Sequence, residues 1–139
     1  MKPVKWGILS TANIGMQKVI PCMLKSKQLE VVGIASRDLR KAKSAAKTLG
    51  LAKAYGSYEE MLADPEIEAI YNPLPNHLHI SMTLAAARAG KHVLCEKPIS
   101  ISARGALALR NAPQDVHIAE AFMVRHSLQW MDARARVKK

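Results

Sequence analysis

Cysteine and long apolar runs are scarce in this chain of 139 residues. Its two cysteines, Cys22 and Cys95, are too few for a disulfide framework, which favours a reducing, cytoplasmic location. No run approaches the ~18 apolar residues of a membrane helix. The N-terminus also lacks the apolar block and cleavage site of a secretion signal. We therefore expect no membrane partner.

Acidic residues are outnumbered by basic ones, and the net charge is +10. The cations concentrate at 37–53 and 125–139. Most of them stand at helical spacing beside alanines, so solvated helix faces are the favoured interpretation. A polyanion such as nucleic acid is the alternative. Residues 37–53 contain no aromatic side chain, although single-strand binders interleave aromatics with charge, so nucleic acid is not favoured.

Strand-like and helix-like segments alternate six times along the chain. Helices are predicted at 14–26, where Pro21 should kink the helix or alter its first turn, and after caps at Asp38, Ser57, Asn76 and Ser100 or Ser102. A basic helix is expected from about residue 127. This alternation predicts an α/β fold with a doubly wound parallel sheet, the Rossmann type. The strands are predicted at 4–10, 29–36, 53–55, 67–71, 93–95 and 116–122.

The turn after the first strand is a candidate phosphate site. The fingerprint G-x-G-x-x-G aligns on Ser10, Ala12 and Gly15, so small residues replace two of its glycines. Alanine still lets phosphate approach the backbone, and the helix that starts near Asn13 would offer N–H groups. Thr11 adds a hydroxyl donor. An ordinary tight turn between strand and helix is the alternative.

The end of the second strand predicts which dinucleotide binds. An acidic residue here would bind the ribose of NAD, but this chain has Ser36 and Arg37, followed by Arg40 and Lys41. Arginine binds phosphate bidentately, so we predict NADP rather than NAD. Surface cations without a ligand are the alternative. Asp38 is better placed as a helix cap.

Residues 72–79, reading NPLPNHLH, end the fourth strand with two prolines. Asn76 either contacts cofactor or caps the next helix, and the cap suffices to explain it. His77 and His79 have no third ligand at a recognisable spacing, so no metal is predicted. His79 is instead predicted to line the cofactor cleft.

Lys97 follows the fifth predicted strand in the sequence KHVLCEKP, where Pro98 stiffens the turn. Ligands bind at the carboxyl ends of parallel strands. A lysine there can donate or accept a proton during hydride transfer, with Glu96 as its charged neighbour. An exposed surface lysine is the alternative.

Five segments together resemble the N-terminal domain of the Gfo/Idh/MocA oxidoreductases, and within them the NADP-dependent dihydrodiol and D-xylose dehydrogenases. They read WGILSTANIG, ASRD, NPLPNHLH, AGKHVLCEKP and EAFMVRH. The resemblance implies that Lys97 is catalytic, that Glu96 and Pro98 frame the nicotinamide, and that Arg37 contacts the 2′-phosphate. The candidate cofactor-binding residues are Ser10, Thr11, Ala12, Asn13, Ile14, Ser36, Arg37, Lys41, Pro73, Leu74, Asn76, His79, Glu96, Lys97 and Arg125.

Members of this family continue into an open-faced β-sheet domain that holds substrate and further catalytic groups, including a histidine. We expect residues 1–124 to be the NAD(P)-binding domain and 125–139 to be a basic helical tail that begins the missing second domain. Leu128 stands where relatives usually have proline, so the tail can take another path. An isolated domain would expose surface its partner covers, so a homo-oligomer is expected.

Three functions are compatible with this sequence. The first is the NADP(H)-binding domain of an oxidoreductase that moves hydride between nicotinamide and a sugar or diol CH–OH group. Whether this chain is itself an enzyme is open, because the substrate domain is expected to be absent. The second is a dinucleotide-binding module, or an isolated domain, without chemistry. The third is a basic nucleic-acid binder on a Rossmann frame.

Overall fold

A six-stranded, all-parallel sheet in the order β3-β2-β1-β4-β5-β6 forms the centre of the molecule, which a computed structural model describes for residues 2–137. The predicted fold class is therefore confirmed. The strands are β1 Val4–Leu9, β2 Leu29–Ala35, β3 Lys53–Tyr55, β4 Ala69–Asn72, β5 His92–Glu96 and β6 Ile118–Ala121.

Helices connect the strands and cover both faces of the sheet, and a further helix, α6, follows the last strand. They are α1 Ile20–Met23, α2 Leu39–Leu49, α3 Tyr58–Ala63, α4 His79–Arg88, α5 Ala103–Leu107 and α6 Leu128–Val137. A π-helical stretch, Gly15–Val19, leads into α1. Short 3₁₀ turns lie at Asn76–Leu78, Ala108–Asn111 and Met123–His126.

Two apolar cores hold these layers together. On one face, Ile20 of α1 and Ala45 of α2 pack with Ile8 and Ile34 of the sheet. On the other, Met61 of α3 and Ala86 of α4 pack with strand residues that include Leu9, Ile70 and Val93. Burying such side chains stabilises the fold by roughly 1.5–3 kcal/mol each. Helices on both faces are what a buried parallel sheet requires.

Local sequence signals set the ends of several helices, as predicted. The side chains of Asp38, Ser57 and Ser102 each accept a backbone N–H at the start of α2, α3 and α5, respectively. Gly50 ends α2 with a left-handed φ of 68°. Such caps are each worth about 1 kcal/mol.

Two predictions need correction. Asn76 does not cap α4, because the chain turns at Pro75 and Asn76 lies inside a 3₁₀ turn without a side-chain cap bond. β4 begins two residues and ends one residue later than the predicted 67–71, and the Ile67 carbonyl accepts the Lys91 Nζ. Around Pro21 the structure has the altered helical turn that was one of the two predicted outcomes: the helix before it widens, and the Ile20 N–H bonds to the Gly15 carbonyl.

Candidate functional site

The carboxyl ends of the central strands bring the predicted site segments to one edge of the sheet. β1 ends beside β2, where Leu9 pairs with Ala35. β4 ends beside β5, where Asn72 pairs with Cys95. The segments that begin at Ser10, Ser36, Pro73 and Lys97 therefore follow four neighbouring strands in the order β2-β1-β4-β5. This is the edge at which open α/β sheets bind ligands.

The turn after β1 has an unusual backbone at its first residue. Ser10 has a φ of 78°, in the left-handed region that glycine favours, at the position of the first fingerprint glycine. Its Oγ accepts the Ala12 N–H at 3.2 Å, and its own N–H donates to the Ala35 carbonyl at 2.9 Å. Helical backbone begins at Asn13, with Asn13 and Ile14 exposed. The turn therefore presents a helix N-terminus to solvent, as an anion site requires.

Gly15 lies where the third fingerprint glycine allows the helix to approach the sheet. A Cβ added there would stand 3.5 Å from the Tyr71 ring and 3.6 Å from Pro73, which is ordinary contact distance. The helix start therefore rests directly on the end of β4, and alanine would fit.

The end of β2 leaves two cations without partners. Asp38 caps α2 by accepting the Arg40 N–H at 2.9 Å, and its carboxylate lies 3.7 Å from Arg40 Nε. Ser36 is buried, and its Oγ accepts the Asp38 N–H. Within residues 2–137 the exposed side chains of Arg37 and Lys41 form no hydrogen bond or ion pair. Their charge is available to a ligand anion.

The buried side chain of Asn72 holds the segment after β4 by hydrogen bonds. Its side-chain amide is fully buried, donates to Thr83 Oγ1 at 3.2 Å and accepts the Leu74 N–H at 3.3 Å. Pro73 and Leu74 are buried in consequence, whereas Asn76 is exposed. Sequence reasoning missed Asn72; a polar residue that ends an apolar strand before a proline was the available signal.

His79 joins two segments of the site and is fully buried. Its Nδ1 lies 2.7 Å from the Pro98 carbonyl oxygen and its Nε2 lies 2.6 Å from that of Leu74. Both ring nitrogens are therefore occupied by backbone groups. A direct contact with cofactor, as predicted, does not fit this geometry; His79 instead holds the Leu74 and Pro98 turns together.

Lys97 stands exposed on the turn that follows β5. Tyr71 OH donates to Glu96 Oε1 at 2.6 Å, and Glu96 Oε2 accepts the Lys97 backbone N–H at 3.3 Å. Further along the turn, the Ile99 N–H donates to Glu120 Oε1 at 2.8 Å. The backbone of this turn is held from β4 and β6, while the Lys97 amine forms no hydrogen bond or ion pair within residues 2–137.

A cleft of ≈ 550 Å³ opens beside Glu96. Its lining includes Tyr71, Leu94, Phe122 and Met123. Burial, reinforced by the Glu96 carboxylate, raises the pKa of Tyr71, so its hydroxyl stays a donor at neutral pH. Burial also raises the pKa of Cys95 to about 11, which leaves an unreactive thiol.

Arg125 lies apart from the turns of β1 and β2, in the 3₁₀ turn after β6. It is exposed and borders a groove of ≈ 880 Å³ against α6, whose Trp130 and Met131 side chains are more than half exposed. Every residue of α6 is exposed. The last two residues of the predicted basic tail, 138–139, lie outside the described residues.

The donor set at this edge fits a phosphorylated dinucleotide. A helix N-terminus follows the Ser10 turn, and partnerless cations follow β2. Within residues 2–137, no group of three or more His, Cys, Asp or Glu side chains is placed to hold a metal ion. None of the helices described there is long and apolar enough to cross a membrane.

Comparisons with known proteins agree with this geometry. Residues 4–122 match the GFO_IDH_MocA model, described as an oxidoreductase family with an NAD-binding Rossmann fold. The chain is 48% identical over 122 residues to D-xylose 1-dehydrogenase (NADP(+)) 2 of Haloferax volcanii, covering 86% of this chain and 37% of that protein. It is 40% identical over 124 residues to trans-1,2-dihydrobenzene-1,2-diol dehydrogenase of Xenopus laevis, covering 87% and 38%.

A similar solved structure is a 3-ketoreductase from Actinomadura kijaniata in complex with TDP-benzene and NADP. It superimposes with a TM-score of 0.86 at 29% identity, over 98% of this chain and 43% of that one. The chain thus spans less than half the length of each of these three proteins.

Proposed function

Because the chain belongs to the Gfo/Idh/MocA family of oxidoreductases, as its sequence motifs indicated, we propose that it binds NADP(H) along the carboxyl edge of its sheet. It would serve as the dinucleotide-binding part of an oxidoreductase that acts on a CH–OH group of a sugar or diol. The observation that carries this proposal is the pair of partnerless cations, Arg37 and Lys41, next to the phosphate turn of β1. NADP named for one relative and bound to the 3-ketoreductase supports the choice of cofactor.

Three groups of residues would hold the dinucleotide. The pyrophosphate would lie on the helix N-terminus at Ser10 to Ile14. The 2′-phosphate would take charge-assisted hydrogen bonds from Arg37 and Lys41, beside the Ser36 hydroxyl. The nicotinamide half would contact Pro73, Leu74, Asn76, Glu96, Lys97 and Arg125. His79 would contribute indirectly, by holding two of these turns together.

Lys97 is the candidate catalytic residue. When bound, the nicotinamide supplies a hydride acceptor or donor at its C4. The Lys97 amine would accept the proton of the substrate hydroxyl in oxidation and return it in reduction. Its exposure and the absence of a hydrogen bond to its amine within residues 2–137 support this role.

Substrate contacts would come from outside the sheet domain. We propose that this domain comprises residues 1–124, that 125–139 lead towards a substrate domain, and that the latter acts in cis or in trans. The greater length of the relatives supports this division. Sugars and diols are the proposed substrates because the relatives are named for them.

A homo-oligomer in a reducing compartment is the proposed state of the protein. Exposed apolar side chains near the C-terminal end, such as Met123, Leu128 and Trp130, favour association. Both cysteines are free thiols. Light scattering at high concentration tests the first point, because a strict monomer would contradict it.

Titration with NADPH tests the proposed function. Bound NADPH should change its fluorescence and raise the melting temperature of the chain, because a ligand that binds the folded state stabilises it by mass action. NADH is the matched control, since it lacks only the 2′-phosphate, and it should bind more weakly. No fluorescence change and no shift in melting temperature at millimolar NADPH would refute the proposal.

A further inference from the structure

Tyr71 and Glu96 form a hydrogen-bonded pair directly beneath the Lys97 turn. They are 25 residues apart in sequence, and the Tyr71 hydroxyl donates to Glu96 Oε1 at 2.6 Å. β4 and β5 pair with Tyr71 opposite Leu94, so the phenol reaches along the neighbouring strand to its last residue. The pair therefore connects the interior of β4 to the end of β5.

Tyr71 is a rigid anchor for this pair. Its side chain is fully buried and belongs to the core formed by α1, α2 and the sheet, with Ile8 and Ile20. The start of the first helix also rests on its ring, at Gly15. A tyrosine held in this way has almost no rotamer freedom, so its hydroxyl occupies a fixed point below the turn.

Glu96 links the fixed Tyr71 hydroxyl to the backbone of Lys97. One carboxylate oxygen accepts the Tyr71 hydroxyl, and the other accepts the backbone N–H of Lys97 at 3.3 Å. Without the Tyr71 hydroxyl the Glu96 side chain could rotate into the adjoining cleft of ≈ 550 Å³. The Lys97 backbone would then lose its acceptor.

We infer that Tyr71 is a positioning residue for Lys97, acting through the Glu96 carboxylate. The inference rests on the proposed function in one respect, namely that Lys97 faces a bound cofactor. The constraint on the Lys97 turn exists in the chain without ligand. Positioning of this kind matters because displacing a catalytic group by roughly 1 Å can cost about a hundredfold in rate.

Tyr55 provides a matched control in β3, the outer strand on the side of the sheet away from β5. Its hydroxyl also donates to a carboxylate, Asp64 Oδ2, at 2.7 Å. Tyr71→Phe and Tyr55→Phe each remove one oxygen and retain the ring. A general loss of stability should therefore appear in both variants, whereas a positioning effect on Lys97 should appear only in Tyr71→Phe.

Amide hydrogen exchange of the free chain, followed by NMR, is the direct test. In Tyr71→Phe the Lys97 amide should exchange about tenfold faster than in wild type, because a hydrogen bond to a charged group shifts local opening by that order. Tyr55→Phe should change this rate by less than about twofold. An unchanged rate in Tyr71→Phe, or an equal acceleration in both variants, would overturn the inference.

A Glu96→Ala variant tests whether Tyr71 acts through Glu96 and does not depend on Tyr71→Phe folding well. Alone, it should accelerate Lys97 exchange by at least as much as Tyr71→Phe does. Adding Tyr71→Phe to it should change the rate by less than about twofold, because the shared route is already broken. A full additional effect would show that Tyr71 works by another route, and would refute the inference.

The link to cofactor is tested by labelling the Lys97 amine through reductive methylation. NADPH should protect the amine in wild type and Tyr55→Phe, and protect it several-fold less in Tyr71→Phe. NADPH affinity should change by less than about threefold, because the phosphate contacts are untouched. Equal protection in all three proteins would contradict the inference. If wild type does not bind NADPH, the proposed function fails, while hydrogen exchange still decides the role of Tyr71.

Discussion

The two edges of the sheet differ in how their charged groups are satisfied. At the carboxyl edge Arg37, Lys41 and Lys97 are exposed, and their side chains have no partner within residues 2–137. At the amino edge Lys53 Nζ bonds Asp64 at 2.6 Å and Glu66 at 2.7 Å, and Lys5 pairs with Glu66. Cations of the same kind are therefore left unpaired at one edge and cross-link elements at the other.

Lys91 shows the amino-edge arrangement most fully. The residue is 7% exposed, and its Nζ donates at 2.8 Å to the carbonyl oxygens of both Asp64 and Ile67. It thereby ties the segment after α3 to the start of β5. A buried ammonium group is tolerable only when such donors are satisfied. Lys91 and Lys97 therefore differ in the internal partners of the amine and not in residue type.

The backbone differs between the edges as well. Ser10, at the carboxyl edge, adopts a left-handed φ of 78° without being glycine. Such a conformation costs roughly 1–2 kcal/mol for a residue with a side chain. Within residues 2–137 no other non-glycine residue has a positive φ. Strain of this kind is typical of ligand-binding turns.

Lys97→Met should give the largest effect and leave stability unchanged. Loss of the group that handles the proton should lower turnover with a sugar or diol by roughly 10²- to 10⁴-fold. Turnover is measured with a substrate domain supplied in cis or in trans. Urea unfolding should change by less than about 0.5 kcal/mol, because the side chain is exposed. An active variant would refute the catalytic role.

Lys91→Met, at the amino edge, should have the opposite effect, because it should lower stability rather than turnover. It removes the Lys91 donor from the buried Ile67 carbonyl oxygen and leaves the Asp64 carbonyl oxygen with only the Ile67 N–H, so the free energy of unfolding should fall by about 1–3 kcal/mol. Urea denaturation measures the change, with Lys97→Met as the exposed control of identical chemistry. A loss as small as that of Lys97→Met would show that the amino edge is not cross-linked in this way.

Arg37→Ala tests whether the end of β2 binds the 2′-phosphate of the cofactor. Removing a charge-assisted contact should weaken NADPH binding by about tenfold or more and NADH binding by less than about threefold. Fluorescence titration gives both dissociation constants. Arg40→Ala is the control, because Arg40 already faces Asp38. Equal losses for NADPH and NADH would exclude a 2′-phosphate contact.

Asp64→Asn should have the smallest effect, visible mainly in acid. Hydrogen bonds from Lys53 and then Tyr55 lower the Asp64 pKa to about 2 from its usual 3.8, so its contribution to stability is present above about pH 4. That contribution is lost as the pH falls through 2. An asparagine side chain does not titrate, so thermal unfolding between pH 4 and pH 2 should depend less on pH in the variant. Identical profiles would contradict the lowered pKa. At neutral pH the cost should be about 1 kcal/mol or less, because Lys53 keeps Glu66 as a partner.

Short-range signals account for what the sequence predicted well. Asp38, Ser57 and Gly50 act within a few residues of themselves, and the structure confirms all three. The alternation of strand-like and helix-like segments likewise predicted the parallel α/β sheet. The predicted cap at Asn76 was wrong because Pro75 directed the chain into a 3₁₀ turn first. A pattern of residue types could not distinguish these two outcomes.

Long-range contacts account for what the sequence did not reveal. The bond between Tyr71 and Glu96 depends on the register of β4 and β5, which no local pattern encodes. The burial of His79 depends on the position of Pro98, 19 residues further on. Lys91 and Lys97 looked alike in sequence, and only the carbonyl groups around each amine separate them. The roles of the cofactor residues stay predictions.

The π-helical stretch Gly15–Val19 bears on how this chain is aligned with its relatives. The Ile20 N–H reaches the Gly15 carbonyl, five residues back, so this turn holds one residue more than an α-helical turn. Deleting one residue here would leave a regular α-helix with Ile20 and Met23 still facing the sheet. An alignment with a relative that is one residue shorter should therefore place the gap inside the helix, leaving the phosphate turn intact. Insertion and deletion can thus change this helix without moving the site.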